Sequence, residues 1–177
     1  HRNLTDNAVC LDMKIPAGTV SMTLLPINHV YCLTMDIIKG LYIGMVICIN
    51  DSIMHVQKNL KLFKPEIVLL VPMVIESIYA KLKDVSKLIP KKAAAHAAFG
   101  GNLRIICSGG AYLDPEYVDR FKEYGITILQ GYGMTECSPV ISNNLEWDNR
   151  RGSVGKLLPN CQAKVVDDEI WVKGSSV

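Results

Sequence analysis

Short apolar segments, each followed by a proline, a glycine or a polar residue, recur along most of the chain. They are rich in β-branched residues and shorter than typical helices, a pattern that favours strands buried within a sheet. The predicted strands span residues 20–25, 45–49, 66–71, 103–108 and 126–130.

Segments with helical spacing of apolar residues lie between these strands, at residues 55–64 and 74–85. A third helix is predicted to begin at Pro115, with Asp114 as its cap, and to stop at Gly125, which accepts a left-handed backbone. Because strands and helices alternate, the sequence predicts an α/β fold, with parallel β-α-β units layered around one sheet.

The pattern changes after about Trp147, where glycine turns separate short alternating strands and no helical period remains. This predicts the start of a small antiparallel β element. We therefore expect an α/β subdomain at residues 1–147 and the beginning of a β-rich subdomain at residues 148–177. The alanine-rich segment at 91–101 favours a surface helix or a mobile connection rather than a site.

Composition narrows the functional classes. Of the 177 residues, 49% are hydrophobic, which is enough to bury a substantial core. The net charge of +2 is too small for a dedicated nucleic-acid binder, so we assign no DNA or RNA partner. Asp36 and Lys39 interrupt the longest apolar segment, which leaves no run of the roughly 18–20 residues that span a bilayer. Peripheral membrane association is not indicated, since no basic amphipathic helix is evident.

The cysteines form no CxxC pair and no His/Cys cluster at zinc spacing, so metal binding by cysteine is not expected. Most lie in apolar segments, as small buried thiols do in a reducing cytoplasm, the predicted location. The chain starts at HRNLTDN, without an initiating methionine or a signal peptide, and we expect it to be an excised piece of a longer protein. The six cysteines are Cys10, Cys32, Cys48, Cys107, Cys137 and Cys161.

Ligands of parallel sheets bind outside the carboxyl ends of the strands, so the residues directly after each strand are the candidates. Gly109 and Gly110 follow the strand that ends at residue 108. Without Cβ atoms they would let a flat ligand lie against the main chain. A tight strand-to-helix turn without a ligand would account for the same residues.

The segment QGYGMTE follows the next strand and combines an aromatic ring, a hydroxyl and a carboxylate. Gly131 and Gly133 flank Tyr132 and are expected to let its ring project from a turn, where it could stack on a base. Thr135 offers a hydroxyl for phosphate oxygens, and Glu136 offers a carboxylate suited to Mg²⁺. Glu136 stands where a dinucleotide fingerprint needs its third glycine, which excludes that motif. A plain loop is the alternative.

His29 directly follows the first strand and is either a functional residue or a packing residue. His55 and His96 lie on predicted helix surfaces and receive no role. The segment GSVGK at 152–156 lacks the spacing of a Walker loop, and Leu157 replaces the required serine or threonine. No G-x-S-x-G elbow or Ser-His-Asp order supports a hydrolase.

Together these segments resemble the AMP-forming adenylating enzymes and, within that superfamily, the long-chain fatty-acyl-CoA synthetases. The GYGMTE segment is specific for the superfamily, and GGA followed by LDPE is more weakly typical of the acyl-CoA branch. The resemblance covers nearly the whole chain, in the family's order and at roughly its spacing: HRNL at 1–4, LPINHVY at 25–31, SGGAYLDPE at 108–116, QGYGMTECSP at 130–139 and GSVGKLLPN at 152–160.

This resemblance implies an ATP-dependent reaction in two steps. A fatty-acid carboxylate attacks the α-phosphate to give acyl-adenylate and pyrophosphate, and the thiol of coenzyme A then displaces AMP. By position, it implies that Tyr132 stacks on adenine, and that the catalytic residues are Thr135 at the phosphate, Glu136 at Mg²⁺ and His29 beside the substrate carboxylate. The implied nucleotide-binding residues are Gly109, Gly110, Ala111, Gln130, Gly131, Tyr132, Gly133, Met134 and Thr135.

Other parts of the family pattern fall outside this chain. The family's phosphate loop precedes the HRN-like segment, and its ribose-binding aspartate and mobile domain with a catalytic lysine follow the matched region. Without those groups, we expect the chain alone to bind nucleotide weakly and not to turn over.

Two alternatives remain. An adenylation enzyme for aryl or amino acids is one, although Ala111 and Tyr112 follow the glycine turn where amino-acid enzymes often carry an aspartate, which favours an apolar acyl chain. A non-catalytic nucleotide-binding module is the other. Thr135 and Glu136 argue against it, because such a module has little use for a metal carboxylate.

Overall fold

The computed structural model describes residues 1–177, and a seven-stranded sheet lies at its centre. A separate hairpin of two strands, β8 (Cys161–Val166) and β9 (Glu169–Gly174), follows it. The strands of the central sheet are β1 (Val20–Thr23), β2 (Val46–Ile49), β3 (Ile67–Leu70), β4 (Ile105–Ser108), β5 (Thr127–Gly133), β6 (Val140–Asn143) and β7 (Lys156–Leu157).

The central sheet has the order β2-β1-β3-β4-β5-β6-β7. Neighbours from β2 to β5 pair in parallel, whereas β6 runs antiparallel to β5 and β7 antiparallel to β6. The carboxyl ends of β1, β3, β4 and β5 therefore lie along one edge of the sheet. Loops that follow these strands can meet there.

All the α-helices except the first connect successive parallel strands. A π-helical segment, Cys32–Ile38, runs directly into the second α-helix. Two single turns of 3₁₀-helix occur at Ile53–His55 and Thr135–Cys137. The α-helices are α1 (Arg2–Cys10), α2 (Lys39–Ile43), α3 (Val56–Phe63), α4 (Pro72–Val85), α5 (Lys91–Phe99) and α6 (Glu116–Glu123).

The ends of α6 follow from its sequence. The Asp114 carboxylate accepts a hydrogen bond from the Glu116 backbone N–H at 2.8 Å, which satisfies one of the free donors at the helix start. Gly125 has a φ of +79°, the left-handed conformation that ends a helix at little cost for glycine. The predicted stop at Gly125 is confirmed, whereas the helix begins at Glu116, one residue after the predicted start at Pro115.

Alternating residues of the central strands bury opposite faces of the sheet, as the pleat requires. Val68, Ile106 and Ile128 point towards α3, α4, α5 and α6, and contribute to an apolar cluster that includes Phe121. Ile67, Leu69, Ile105, Cys107 and Leu129 point to the other face, which α1 and the π-helical segment cover. We call these the α3–α6 face and the α1 face.

The α/β prediction is confirmed, and each of the five predicted strands overlaps an observed one. Helices α3, α4 and α6 also lie where the periodicity predicts them. The alanine-rich segment forms α5, which buries Ala94, Ala95 and Phe99 in the core. The predicted C-terminal antiparallel element is present as the hairpin, while the boundary at residues 147 and 148 stays a prediction.

Three elements were not predicted: α1, the helical run of the π-helical segment and α2, and strand β6. The antiparallel part of the central sheet therefore begins at β6, before the predicted change of pattern. No helix combines the length and the hydropathy needed to cross a membrane.

Candidate functional site

A cleft of about 580 Å³ opens at the carboxyl edge of the central sheet. It is bordered by the loops after β1, β3, β4 and β5. The cleft brings together nine of the eleven residues predicted from the sequence as site residues: His29, Gly109, Gly110, Gly131, Tyr132, Gly133, Met134, Thr135 and the predicted metal ligand Glu136.

The turn after β4 is shaped by two glycines with different reasons for being glycine. A Cβ added to Gly109 would lie 3.2 Å from the ring of Tyr31, tighter than ordinary packing. Gly110 has a φ of +85°, which a residue with a side chain rarely adopts. The turn therefore presents bare main chain to the cleft, as a flat ligand would need.

Gly131 and Gly133 do not form the predicted turn. They belong to strand β5, and the pairing with β6 is irregular between Tyr132 and Gly133. A Cβ on Gly131 would lie 2.5 Å from Oδ1 of Asn143, and a Cβ on Gly133 would lie 2.1 Å from the carbonyl oxygen of Pro139. These glycines are needed because the chain folds back against β5 at close range, and Tyr132 projects into the cleft from a strand.

The residues after β5 form a compact turn that carries Thr135 and Glu136. The Met134 N–H donates to the Pro139 carbonyl at 2.9 Å, and the Ser138 N–H donates to the Thr135 carbonyl at 3.2 Å. Both site side chains are exposed to the cleft. Neither side chain has a hydrogen-bond or ion-pair partner within the chain, so both are free to bind a ligand.

The residues present fit a Mg²⁺ ion that arrives with a nucleotide. No group of three His, Cys, Asp or Glu side chains could hold a metal by itself. Mg²⁺ usually binds through one or two carboxylates together with substrate phosphates, and it keeps several waters. An unpaired Glu136 next to the Thr135 hydroxyl supplies the protein part of such a site.

His29 lies at the start of the helical run that leads into the π-helical segment. Its carbonyl accepts the Leu33 N–H at 3.0 Å, and its Nδ1 accepts the Tyr31 N–H at 3.1 Å. With Nδ1 used as an acceptor, the neutral ring carries its proton on Nε2. The ring is exposed at the mouth of the cleft, where Nε2 can donate to a bound oxygen.

Ala111 and Gln130 lie outside the main cleft. They line a neighbouring cavity of about 60 Å³, and Gly131 borders both spaces. The Gln130 side chain is buried and its Nε2 donates to the Leu113 carbonyl at 3.1 Å, so it ties the strand to the β4–α6 connection. Their predicted nucleotide-binding roles stay predictions.

A small cavity of about 30 Å³ lies beside the cleft on the α1 face, and Tyr31, Asp36, Lys39 and Cys107 face it. Asp36 is 2% exposed, and its carboxylate accepts a hydrogen bond from the Cys32 thiol at 3.9 Å. Burial raises the pKa of Asp36 to about 7, so this carboxyl is half protonated near neutral pH.

The neighbours of Asp36 are held in their neutral forms or paired with backbone. Burial raises the pKa of Tyr31 well above its usual value, with smaller contributions from Cys107 and Asp36. Burial likewise raises the pKa values of the Cys32 and Cys107 thiols to about 12. Burial lowers the pKa of Lys39, whose ammonium donates to the carbonyls of Ala8, at 2.9 Å, and Leu11.

Sequence reasoning missed this buried polar group. Asp36 and Lys39 were noticed only as interruptions of an apolar segment. The signal was present, however: two charged residues within one turn of an apolar helix mark a position where charge is buried for a reason.

Comparison with known proteins identifies the protein family. The model of the AMP-binding enzyme family matches residues 1–177. The chain therefore belongs to the AMP-binding enzyme family, a family of adenylate-forming ligases.

Among curated proteins, the chain is 28% identical to "Long chain acyl-CoA synthetase 6, peroxisomal" of Arabidopsis thaliana, a match that covers 94% of this chain and 29% of that protein. It is 31% identical to "4-coumarate--CoA ligase CCL1" of Humulus lupulus, over 85% of this chain and 27% of that protein. The chain thus spans less than a third of the length of these relatives.

A solved structure of O-succinylbenzoate coenzyme A synthetase from Bacillus subtilis, in complex with ATP and magnesium ion, has the same fold. It superposes with a TM-score of 0.76 at 22% identity, and the match covers 99% of this chain and 37% of that one. A long-chain-fatty-acid-CoA ligase from Archaeoglobus fulgidus superposes with a TM-score of 0.79 at 16% identity, over 100% of this chain and 39% of that one. The mixed sheet is therefore the fold of adenylate-forming enzymes.

Proposed function

We propose that the complete gene product carrying this chain is an AMP-forming acid–CoA ligase that activates a fatty acid. One observation carries the proposal: Tyr132, Thr135 and Glu136 face the same cleft as the bare main chain of Gly109 and Gly110, and the Glu136 carboxylate has no partner within the chain. A ring, a hydroxyl and a carboxylate in this order match the base, phosphate and metal of one Mg²⁺–ATP.

ATP, Mg²⁺ and coenzyme A are the co-substrates and cofactor of this proposal. A bound Mg²⁺ would neutralise charge on the phosphates while pyrophosphate leaves. Glu136 would hold that ion through its carboxylate. Thr135 would donate its hydroxyl proton to a phosphate oxygen, a contact that strengthens as negative charge gathers on the oxygens in the transition state.

Tyr132 and His29 would orient the two reactants. The Tyr132 ring, projecting from the end of β5, offers a flat apolar face to the adenine. His29 would donate from Nε2 to the substrate carboxylate at the mouth of the cleft, since its Nδ1 is already used by the Tyr31 N–H. The attacking carboxylate and the α-phosphorus would thus be held between two loops of the same sheet edge.

The residues that line the cleft favour an acid with an apolar chain. Leu25, Pro26, Val30, Val71 and Val140 line the cleft, and Glu136 is its single acidic side chain. A substrate ammonium would have no carboxylate of its own there, which disfavours an amino acid. An aryl acid remains the second candidate, because a coumarate ligase is among the relatives.

The chain by itself would be incomplete as an enzyme. Since it spans less than a third of its relatives' length, the remaining part of the protein would supply the phosphate loop, the ribose-binding aspartate and the catalytic lysine. We expect residues 1–177 alone to bind nucleotide weakly and to give no turnover. The six free thiols fit a reaction in the reducing cytoplasm.

Pyrophosphate exchange tests this proposal. The complete gene product is incubated with ATP, Mg²⁺, labelled pyrophosphate and one acid at a time from a panel of fatty, aryl and amino acids. Exchange with fatty acids supports the proposal, and exchange with aryl acids alone would support the second candidate. Absence of exchange with every acid would contradict both and support a non-catalytic nucleotide-binding module.

A further inference from the structure

Asn7 lies on α1, outside every predicted site, and its side chain is completely buried. Its Oδ1 accepts the Val140 N–H at 3.1 Å. Its Nδ2 donates to the carbonyls of Val140 at 2.7 Å and Cys137 at 3.2 Å, and to Oγ of Ser176 at 3.3 Å. Asn7 therefore binds both backbone groups of one residue, as a neighbouring strand would.

These contacts fall on the exit of the turn that carries Thr135 and Glu136. The side chains of Thr135 and Glu136 have no partners within the chain. Their position in the cleft is therefore set by the backbone of the turn. Backbone hydrogen bonds within the turn, among them the one from the Met134 N–H to the Pro139 carbonyl, close it on itself. Asn7 binds Cys137 and Val140, the residues that flank the Ser138–Pro139 pair, and this places the closed turn relative to the sheet.

Ser176 connects the same point to the hairpin. Its side chain is fully buried, and its Oγ also accepts a hydrogen bond from Nδ2 of Asn160 at 3.0 Å. Asn7 thus stands where α1, the turn after β5 and the end of β9 meet. In a buried position an amide that satisfies several backbone groups is costly to replace, because each lost bond leaves a polar group unpaired.

We infer that Asn7 is a positioning residue for Glu136: it holds the turn that sets the carboxylate's place in the cleft, although it does not reach the cleft itself. This inference rests on the proposed function for its link to Mg²⁺–ATP. The structural claim, that Asn7 holds the turn, does not depend on the proposed function.

The test compares Asn7→Leu, which removes all four hydrogen bonds and keeps the number and branching of the side-chain heavy atoms, with Asn59→Leu as a matched control. Asn59 is also largely buried, and its Nδ2 donates to side chains of Asn50 and Asp51 far from the turn. In the complete gene product, the Mg²⁺ concentration for half-maximal pyrophosphate exchange should rise about 10-fold in Asn7→Leu, as for loss of a residue that orients a metal ligand. The acid KM should stay within about 2-fold of the parent's.

Asn59→Leu should leave the Mg²⁺ dependence unchanged. A folded Asn7→Leu protein with the parent's Mg²⁺ dependence would overturn the inference, and so would an equal shift in the control. If Asn7→Leu does not fold, Asn7→Ala replaces it, because it admits water at the vacated place and should give the same direction of change.

Amide hydrogen exchange gives a second readout that needs no activity. The Met134 and Val140 amides should exchange at least about 10-fold faster in Asn7→Leu than in the parent, and at the parent's rate in Asn59→Leu. Unchanged exchange at both amides overturns the inference. Faster exchange in a parent that activates no acid would contradict the proposed function while supporting the role of Asn7 in holding the turn.

Discussion

The two faces of the central sheet bury different kinds of side chain. The α3–α6 face buries an almost wholly apolar cluster, with Phe121 at 0% exposed. The α1 face buries Asn7, Asp36 and Lys39 among its apolar side chains, and a small cavity lies there. The first face therefore supplies stability, whereas the second places polar groups next to the cleft at some cost in stability.

The largest expected effect is on the α3–α6 face. Phe121→Ala should lower the free energy of unfolding by about 3–5 kcal/mol, because it removes a fully buried ring and leaves a cavity. Chemical denaturation measures this loss. Leu62→Ala, at a residue that is 64% exposed on α3, is the control and should change stability by less than about 0.5 kcal/mol. Equal losses in the two variants would contradict the assignment of the core.

On the α1 face, Asp36→Asn should increase stability at neutral pH. The folded pKa of Asp36 is raised to about 7 from 3.8, so between these values the folded state holds a proton that the unfolded state has released. The contribution of Asp36 to stability is therefore greatest below pH 3.8 and is lost as the pH rises towards 7. A shift of about three units at ~1.4 kcal/mol each sets a ceiling of about 4 kcal/mol.

Urea denaturation across this pH range checks the prediction. The asparagine variant should show a smaller fall in stability between acid and neutral pH than the parent, and the two should converge near pH 4. Tyr31, Cys32 and Cys107 face or approach the same carboxyl, and their raised pKa values keep them neutral over this range. Parallel pH profiles would show that Asp36 is not the titrating group.

At the cleft, Glu136→Gln should reduce pyrophosphate exchange by the complete gene product by about 100-fold, because a neutral amide holds Mg²⁺ poorly where charge develops. Stability should be unaffected, since the carboxylate has no partner within the chain. Glu76→Gln, an exposed acid on α4, is the matched control and should keep the parent's rate. An active Glu136→Gln protein would remove the basis of the metal assignment.

The smallest expected effect concerns the ring in the cleft. Tyr132→Ala should weaken ATP binding about 10-fold, the lower range for loss of a ring stacked on a base, whereas Tyr132→Phe should bind nearly as the parent does. Titration calorimetry with ATP separates the two variants. Equal losses in both would mean that the hydroxyl, rather than the ring, makes the contact.

More of the α3–α6 face than of the α1 face could be predicted from the sequence. Helices α3, α4 and α6 could be predicted because each has one apolar stripe, and α6 also has Asp114 before its start. The run from Cys32 to Ile43 is apolar on most sides, and buried helices of this kind have no clear period. Strand β6, Val140–Asn143, has only two apolar residues, and its first residue is held by Asn7, which lies 133 positions away.

At the site, motifs within single segments identified most of the predicted residues that face the cleft, but not the reason for the glycines in β5. Gly131 and Gly133 make room for Asn143 and Pro139, and no local pattern reveals a neighbour that arrives only in the folded chain. Asn7 was invisible for the same reason, because its partners lie 130 or more positions away. Local chemistry can be predicted from a motif, whereas its support comes from tertiary contacts.

The ring of Tyr31 forms part of the wall of both the cleft and the small cavity beside it, and it also fills the space beside Gly109. One side chain thus separates the two spaces. A side chain introduced at position 109 would meet this ring at 3.2 Å and displace it. The width of the cleft at this point is consequently set by two loops together, the one that follows β1 and the one that follows β4.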